Sequence, residues 1–280
     1  MSPAVLATTE YGPSGGTEVL AVHGVTSNGR AFATIAALLP GHRILAPDLR
    51  GRGRSGELPG PFGLRRHAED LAGLLDDAGG SPRIVVGHSM GAFVAVVLAG
   101  ARPDLVERLV LVDGGLPLEL PPGKTPDDIA EFLGPAAERL AMRFADDEAY
   151  LGFWRAHPAL GPELPAGFAE YARYDLVGEP PGLRASASAE AMLTDGAELY
   201  GPDWYLDALA SLRMPVTVLR APRGLTDGAP LYPPGALESF RGTVPRMRVV
   251  EVPDVNHYTI VFTRAGADAV AAAITGEGAS

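Results

Sequence analysis

Cysteine is absent from this 280-residue chain, which excludes thiol catalysis, disulfides and Cys-ligated zinc. The six histidines are scattered and none forms a His-x-x-x-His pair, so no metal site is expected. Basic charge is scarce. Twenty-three Lys and Arg against 34 Asp and Glu leave a net charge of −11, which disfavours nucleic acid or an anionic membrane surface as a partner. The densest basic run, Arg50, Arg52 and Arg54, falls in a glycine-rich loop and reads as solvated. No apolar run approaches the ~18 residues that a membrane span needs. Met1 to Tyr11 lacks a basic stretch followed by an apolar one, so the protein is expected to be soluble and cytoplasmic.

What the chain does have is apolar content, 46%, enough for a large core. The stretch that organises it is Arg83-Ile84-Val85-Val86-Gly87-His88-Ser89-Met90-Gly91-Ala92-Phe93-Val94-Ala95. A short β-branched run gives way, across Gly87 to Gly91, to small and apolar residues at helical spacing. The pattern predicts a strand, a sharp turn and a helix. Glycine on both sides lets the backbone turn tightly enough to push the Ser89 hydroxyl out at the top of the strand. A helix beginning at Met90 aims its unpaired N–H groups and positive dipole end at the same place. This Gly-x-Ser-x-Gly turn resembles the nucleophile elbow of the α/β-hydrolase family.

Before the elbow, Val5 to Thr9 is expected as an edge strand, and Glu18 to Val22 as a buried one. The second runs into His23-Gly24-Val25, similar to the family's His-Gly loop. That resemblance implies an oxyanion hole formed by the N–H groups of Val25 and Met90, with His23 itself structural. A strand over Arg43 to Ala46 leads to Asp48-Leu49-Arg50-Gly51-Arg52-Gly53-Arg54-Ser55, similar to the family's Asp-x-x-Gly-x-Gly-x-Ser loop. Asp48 is expected to bind loop amides there. A helix over Leu64 to Ala78 precedes the elbow, and a strand over Val106 to Val112 follows it, ending at Asp113.

The strand and helix alternation stops near Leu116 and resumes at Met214-Pro215-Val216. Both tryptophans, five of the eight tyrosines and four of the nine phenylalanines fall in this interval. Large apolar side chains suit either the underside of a lid or the core of a small helical subdomain. The expected organisation is an α/β core over residues 1–115 and 214–280, with a helical cap inserted at 116–213. The family resemblance implies a mostly parallel, eight-stranded sheet covered by helices.

A serine hydroxyl needs an adjacent base oriented by a carboxylate. The family places the histidine after the last strand, where His257 follows the strand over Arg248 to Val252. The acid departs from the commonest pattern, because the loop after Val216 to Leu219 has no carboxylate at the usual distance. Asp113 is favoured, since a strand end would hold it rigidly, and Asp227 is the alternative. The resemblance implies a cofactor-free serine hydrolase acting on a small or medium apolar ester or lactone. Carbon–carbon bond hydrolases, haloperoxidases, acyltransferases and non-turnover receptors share the fold and remain open.

Overall fold

The computed structural model describes residues 5–81, 83–120 and 122–276. Strands β1 (Thr8–Tyr11), β2 (Thr17–Val22), β3 (His42–Pro47), β4 (Arg83–His88) and β5 (Val106–Val112) form most of one sheet. A two-residue pair, β6 (Leu176–Val177) and β7 (Arg184–Ala185), stands apart from it. β8 (Val216–Arg220) and β9 (Met247–Glu251) complete the main sheet, whose order is β1-β3-β2-β4-β5-β8-β9. Within this sheet, among the described residues, only β1 runs antiparallel to its neighbour.

Seven strands, not eight, make up this sheet among the described residues. The eighth is implied by the family resemblance alone. The edge strand also starts later than its apolar pattern suggests. Its register pairs Thr8 with Pro47 and Tyr11 with Ile44, which leaves Val5 outside the sheet and 90% exposed.

Side chains alternate across the sheet with the period of two that a strand imposes. Leu20, Val22, Leu45, Val85, Leu109 and Leu111 face one apolar cluster, which includes helices α2 (Leu64–Asp77) and α3 (Met90–Ala101). Val19, Ala21, Ile44, Ile84, Val86 and Val110 face the other. That face is covered by α1 (Ala33–Ala36), α9 (Thr259–Phe262) and α10 (Arg264–Thr275). α3 is buried from Met90 to Ala99, in keeping with a sequence apolar all round.

Between β5 and β8 the chain forms α4 (Ile129–Ala141), α5 (Asp147–Arg155), α6 (Phe168–Asp175), α7 (Ala189–Ala197) and α8 (Asp203–Ala210). A capping box at Thr125 and Asp128 opens this run, where the Thr-Pro-Asp-Asp sequence predicts a helix start. The apolar side chains of residues 116–213 do not form a separate core. Leu116, Leu133, Leu199 and Tyr205 belong to the first sheet cluster, and Phe144, Trp154, Phe168 and Tyr171 to the second.

The chain leaves β2 towards β3 on one side and returns to β4 on the other. The sheet therefore changes winding direction between β2 and β4, and the loops after these strands diverge to leave a crevice at their carboxyl ends. Gly91 lets α3 sit against this point, for a Cβ there would lie 2.1 Å from the Val22 carbonyl oxygen. Gly91→Ala should therefore destabilise the protein by about 1–3 kcal/mol in urea unfolding. Gly41→Ala, where a Cβ would meet nothing within 4 Å, serves as the control. Equal unfolding midpoints for the two variants would contradict this packing.

Candidate active site

Ser89 sits between β4 and α3 with φ 56° and ψ −127°, a left-handed conformation that a residue with a side chain adopts only under constraint. Its N–H donates to the Val112 carbonyl at 2.9 Å, and its carbonyl accepts from Ala92 N–H at 3.0 Å. Neighbouring backbone approaches because it carries no Cβ. A Cβ on Gly114 would lie 2.3 Å from the Ser89 carbonyl oxygen, and one on Gly24 would lie 3.1 Å from Ser89 Cβ.

Three of the residues singled out in the sequence form one hydrogen-bonded chain. His257 Nε2 lies 3.0 Å from Ser89 Oγ, and His257 Nδ1 lies 2.7 Å from Asp113 Oδ2. The second Asp113 oxygen accepts from Ala221 N–H at 3.0 Å, so the carboxylate is tied to two elements and is fully buried. Asp227 is elsewhere. Its carboxylate accepts from Asn256 Nδ2 at 2.7 Å and pairs with Arg223 at 2.8 Å. Asn256 in turn accepts from the N–H groups of Tyr258 and Thr259, so Asp227 acts on the main chain flanking His257 and not on its ring.

The other two predicted residues face the same space. Met90 is the first residue of α3, where a helix leaves its N–H groups unsatisfied. Val25 lies in the loop after β2, and its N–H has no protein acceptor among the described residues. The preceding peptide is fixed through its carbonyl: Gly24 O accepts from Ser27 N–H at 3.1 Å and from His23 Nδ1 at 2.8 Å. His23 Nε2 accepts from Leu49 N–H at 2.9 Å, which sets the tautomer. His23 is thus structural, as its position before the nucleophile suggests.

Two neighbouring histidines are held neutral. Burial, reinforced by the nearby His257, pulls His88 down to about 3. Its Nε2–H donates to the His257 carbonyl at 2.8 Å, while its Nδ1 is buried without a partner among the described residues. Burial likewise pulls His23 down to about 4, against the opposing pull of Asp48.

Asp48 binds loop amides as the sequence implies, accepting from Gly29 N–H and Arg54 N–H, each at 2.8 Å. The arginines beside it correct the solvated reading of that loop. Arg50 and Arg52 are buried, paired with Asp70 and Asp195 respectively. These partners lie far along the chain, so no local pattern reveals them. Burial alone would raise the Asp195 carboxyl. Arg52, His67 and the Gly63 N–H outweigh that and hold it below the usual carboxylate range.

A cavity of about 390 Å³ opens over Ser89. Leu118, Leu133, Leu199 and Leu231 make part of its wall apolar, while Trp154, His157, Tyr171 and Tyr258 line another part. Of the other aromatics of residues 116–213, Phe144 packs on Tyr150 and Phe153, while Tyr205 packs on Phe93 and Phe168 on Phe262. Among the described residues no group of His, Asp or Glu is arranged to hold a metal ion. No described helix is long and apolar enough to cross a membrane.

A family model described as the alpha/beta hydrolase fold matches residues 18–262. The chain belongs to the α/β-hydrolase family. This α/β hydrolase is 40% identical over 156 residues to the lipase LipV of Mycobacterium tuberculosis, covering 55% of the chain and 58% of that lipase. It is 29% identical over 243 residues to a 2-(acetamidomethylene)succinate hydrolase of Mesorhizobium japonicum, covering 86% of the chain and 81% of that enzyme. Among solved structures, a thioesterase domain from the curacin biosynthetic pathway superposes with a TM-score of 0.72 at 25% identity, covering 96% of this chain and 94% of that one. The match to the lipase thus spans little more than half of that relative's length.

Two buried histidines of this α/β hydrolase, His23 and His88, carry a pH signature. Both are neutral in the fold and titrate near 6.5 in the unfolded chain, so the unfolded state binds more protons between about pH 6.5 and pH 4. Stability should fall as pH drops through that window, read as the unfolding free energy in urea. His88→Asn should flatten the fall, and slopes identical to wild type would contradict a neutral, buried His88.

Proposed function

We propose that this protein is a serine hydrolase that cleaves a carboxylic ester or lactone of a small to medium apolar substrate through an acyl-enzyme on Ser89. In this reading Ser89 is the nucleophile, His257 the general base and acid, and Asp113 the orienting carboxylate. Val25 and Met90 supply the oxyanion N–H groups. Residues 116–213 serve as a cap that closes the pocket over the core formed by 1–115 and 214–280. The observation that carries the proposal is the His257 ring held between Asp113 Oδ2 and Ser89 Oγ, beside the apolar cavity. Similarity to a lipase over 156 residues adds support for ester chemistry.

The steps follow from that arrangement. His257 Nε2 takes the Ser89 proton as Oγ attacks the carbonyl carbon, and negative charge gathers on the carbonyl oxygen facing the Val25 and Met90 N–H groups. Asp113 stays ionised, holds the Nδ1–H tautomer and stabilises the imidazolium. The tetrahedral species collapses as His257 gives its proton to the departing alkoxide, leaving the acyl group on Oγ. Water then loses a proton to His257, its oxygen attacks the acyl carbon, and Ser89 leaves with the proton returned. For a lactone the departing alcohol stays attached to the acyl group and one open-chain hydroxy acid is released.

Ser89→Ala should abolish hydrolysis of short-chain esters while circular dichroism stays that of the wild type. An unaffected rate would sink the proposal. Asp113→Asn should lower kcat by about 10⁴ through loss of the correct tautomer. Asp227→Asn, acting on the Asn256 turn and on Arg223 and not on the imidazole ring, should lose far less, and the reverse ranking would reassign the acid.

A further inference from the structure

The loop that carries Val25 is held by two buried guanidinium groups. Arg52 Nε donates to the Val25 carbonyl at 2.9 Å, and Arg139 Nη2 donates to the Thr26 carbonyl at 2.9 Å. Arg52 is 0% and Arg139 1% exposed. A buried charge is tolerated only when paired, and each has its own carboxylate. Arg52 Nη1 lies 2.5 Å from Asp195, and Arg139 Nη1 lies 2.6 Å from Asp175. Both aspartates are buried, and both come from residues 116–213.

These contacts complete a series. The carbonyls of Gly24, Val25 and Thr26 accept in turn from His23, Arg52 and Arg139, so three successive peptide planes are each fixed by a buried donor. The Val25 N–H shares its peptide plane with the Gly24 carbonyl, and Arg52 and Arg139 fix the next two planes, so the plane that carries the N–H cannot rock against its neighbours. Arg52 also reaches the other side of the site, with Nη2 3.9 Å from Met90 Sδ. A donor that must meet developing charge without reorganising needs this kind of support.

We infer that Arg52 and Arg139 are positioning residues for the oxyanion hole, each held in place by a carboxylate from residues 116–213. On this inference that segment does more than enclose substrate. Undocking it would remove Asp195, Asp175 and Arg139 from the Val25 loop and leave Arg52 an unpaired charge. The inference rests on the proposed role of the Val25 N–H, and the test separates the two.

Arg52→Lys and Arg139→Lys keep the charge and lose the planar fork of donors. With p-nitrophenyl butyrate, kcat per fluorophosphonate-titrated site should fall about 10- to 100-fold in each, short of the 10²–10³ that removal of an oxyanion donor costs. KM should stay within about twofold. Arg50→Lys is the control for a merely structural role: the Arg50 guanidinium pairs with Asp70 of α2 and donates to the Pro59 carbonyl, and it bonds no carbonyl of residues 24–26. It should lower Tm with kcat unchanged. Amide exchange of Val25, followed by NMR, should accelerate in Arg52→Lys and Arg139→Lys and not in Arg50→Lys. If a lysine variant does not fold, Asp195→Asn and Asp175→Asn, which keep the arginines but slacken their hold, give the same two readouts. Variants that match Arg50→Lys in kcat and in Val25 exchange would overturn the inference. A wild type without Ser89-dependent turnover would instead overturn the proposed function, and Val25 exchange alone would then decide the clamp.

Discussion

At Ser89 the backbone holds a left-handed conformation with a side chain attached, at a cost of about 1–3 kcal/mol, and the surrounding fold has to supply what keeps it there. Three glycines do so by what they lack. Gly91 brings α3 against Val22, Gly114 brings the end of β5 against the Ser89 carbonyl, and Gly24 lets the loop after β2 lie beside the hydroxyl. The Ser89 N–H is spent on Val112, so β4 and β5 are locked together at the point where the chain turns. The strained turn, the carboxylate at the end of β5 and the loop after β2 are therefore one packed unit. The crevice between β2 and β4 follows from the order in which the sheet is wound.

Electrostatic order in the site comes from withholding charge as much as from placing it. His23 and His88 are buried beside the chain of Asp113, His257 and Ser89, and both are kept neutral, so each serves as a directed donor on a carbonyl. A second cation near His257 would oppose the imidazolium that the proposed mechanism requires. Among the positive charges that enter the interior, Arg52 and Arg139 are each matched by a carboxylate and face main-chain carbonyls. In a medium of low dielectric this matching decides whether a polar network rigidifies the site or destabilises it.

Much of this architecture is legible in the sequence, because its determinants are local. The β-branched run before Gly87, the glycines around Ser89 and the apolar spacing after Met90 specify strand, turn and helix within thirteen residues. Asp113 is readable as a residue at a strand end and His257 through the family resemblance, although choosing between Asp113 and Asp227 needs the fold. Only the packed sheet shows that the loop after β8 delivers Asp227 to Asn256 and not to the imidazole ring. The arginines were out of reach. Three arginines spaced by glycines look like a solvated loop until a carboxylate from α7 and the Val25 carbonyl close on Arg52. The edge strand begins at Thr8 because its pairing with β3, a long-range property, outweighs the local alternation from Val5.

The proposed chemistry turns on whether the Ser89 oxygen becomes covalently bonded to substrate. Rapid acid quench of the wild-type enzyme with a slowly turned-over ester, followed by peptide mass spectrometry, measures this directly. An acyl mass increment on the peptide containing Ser89, appearing before steady state and absent from Ser89→Ala, is the predicted result. Ester hydrolysis that proceeds with no acyl increment on Ser89, or with one on another residue, would contradict it.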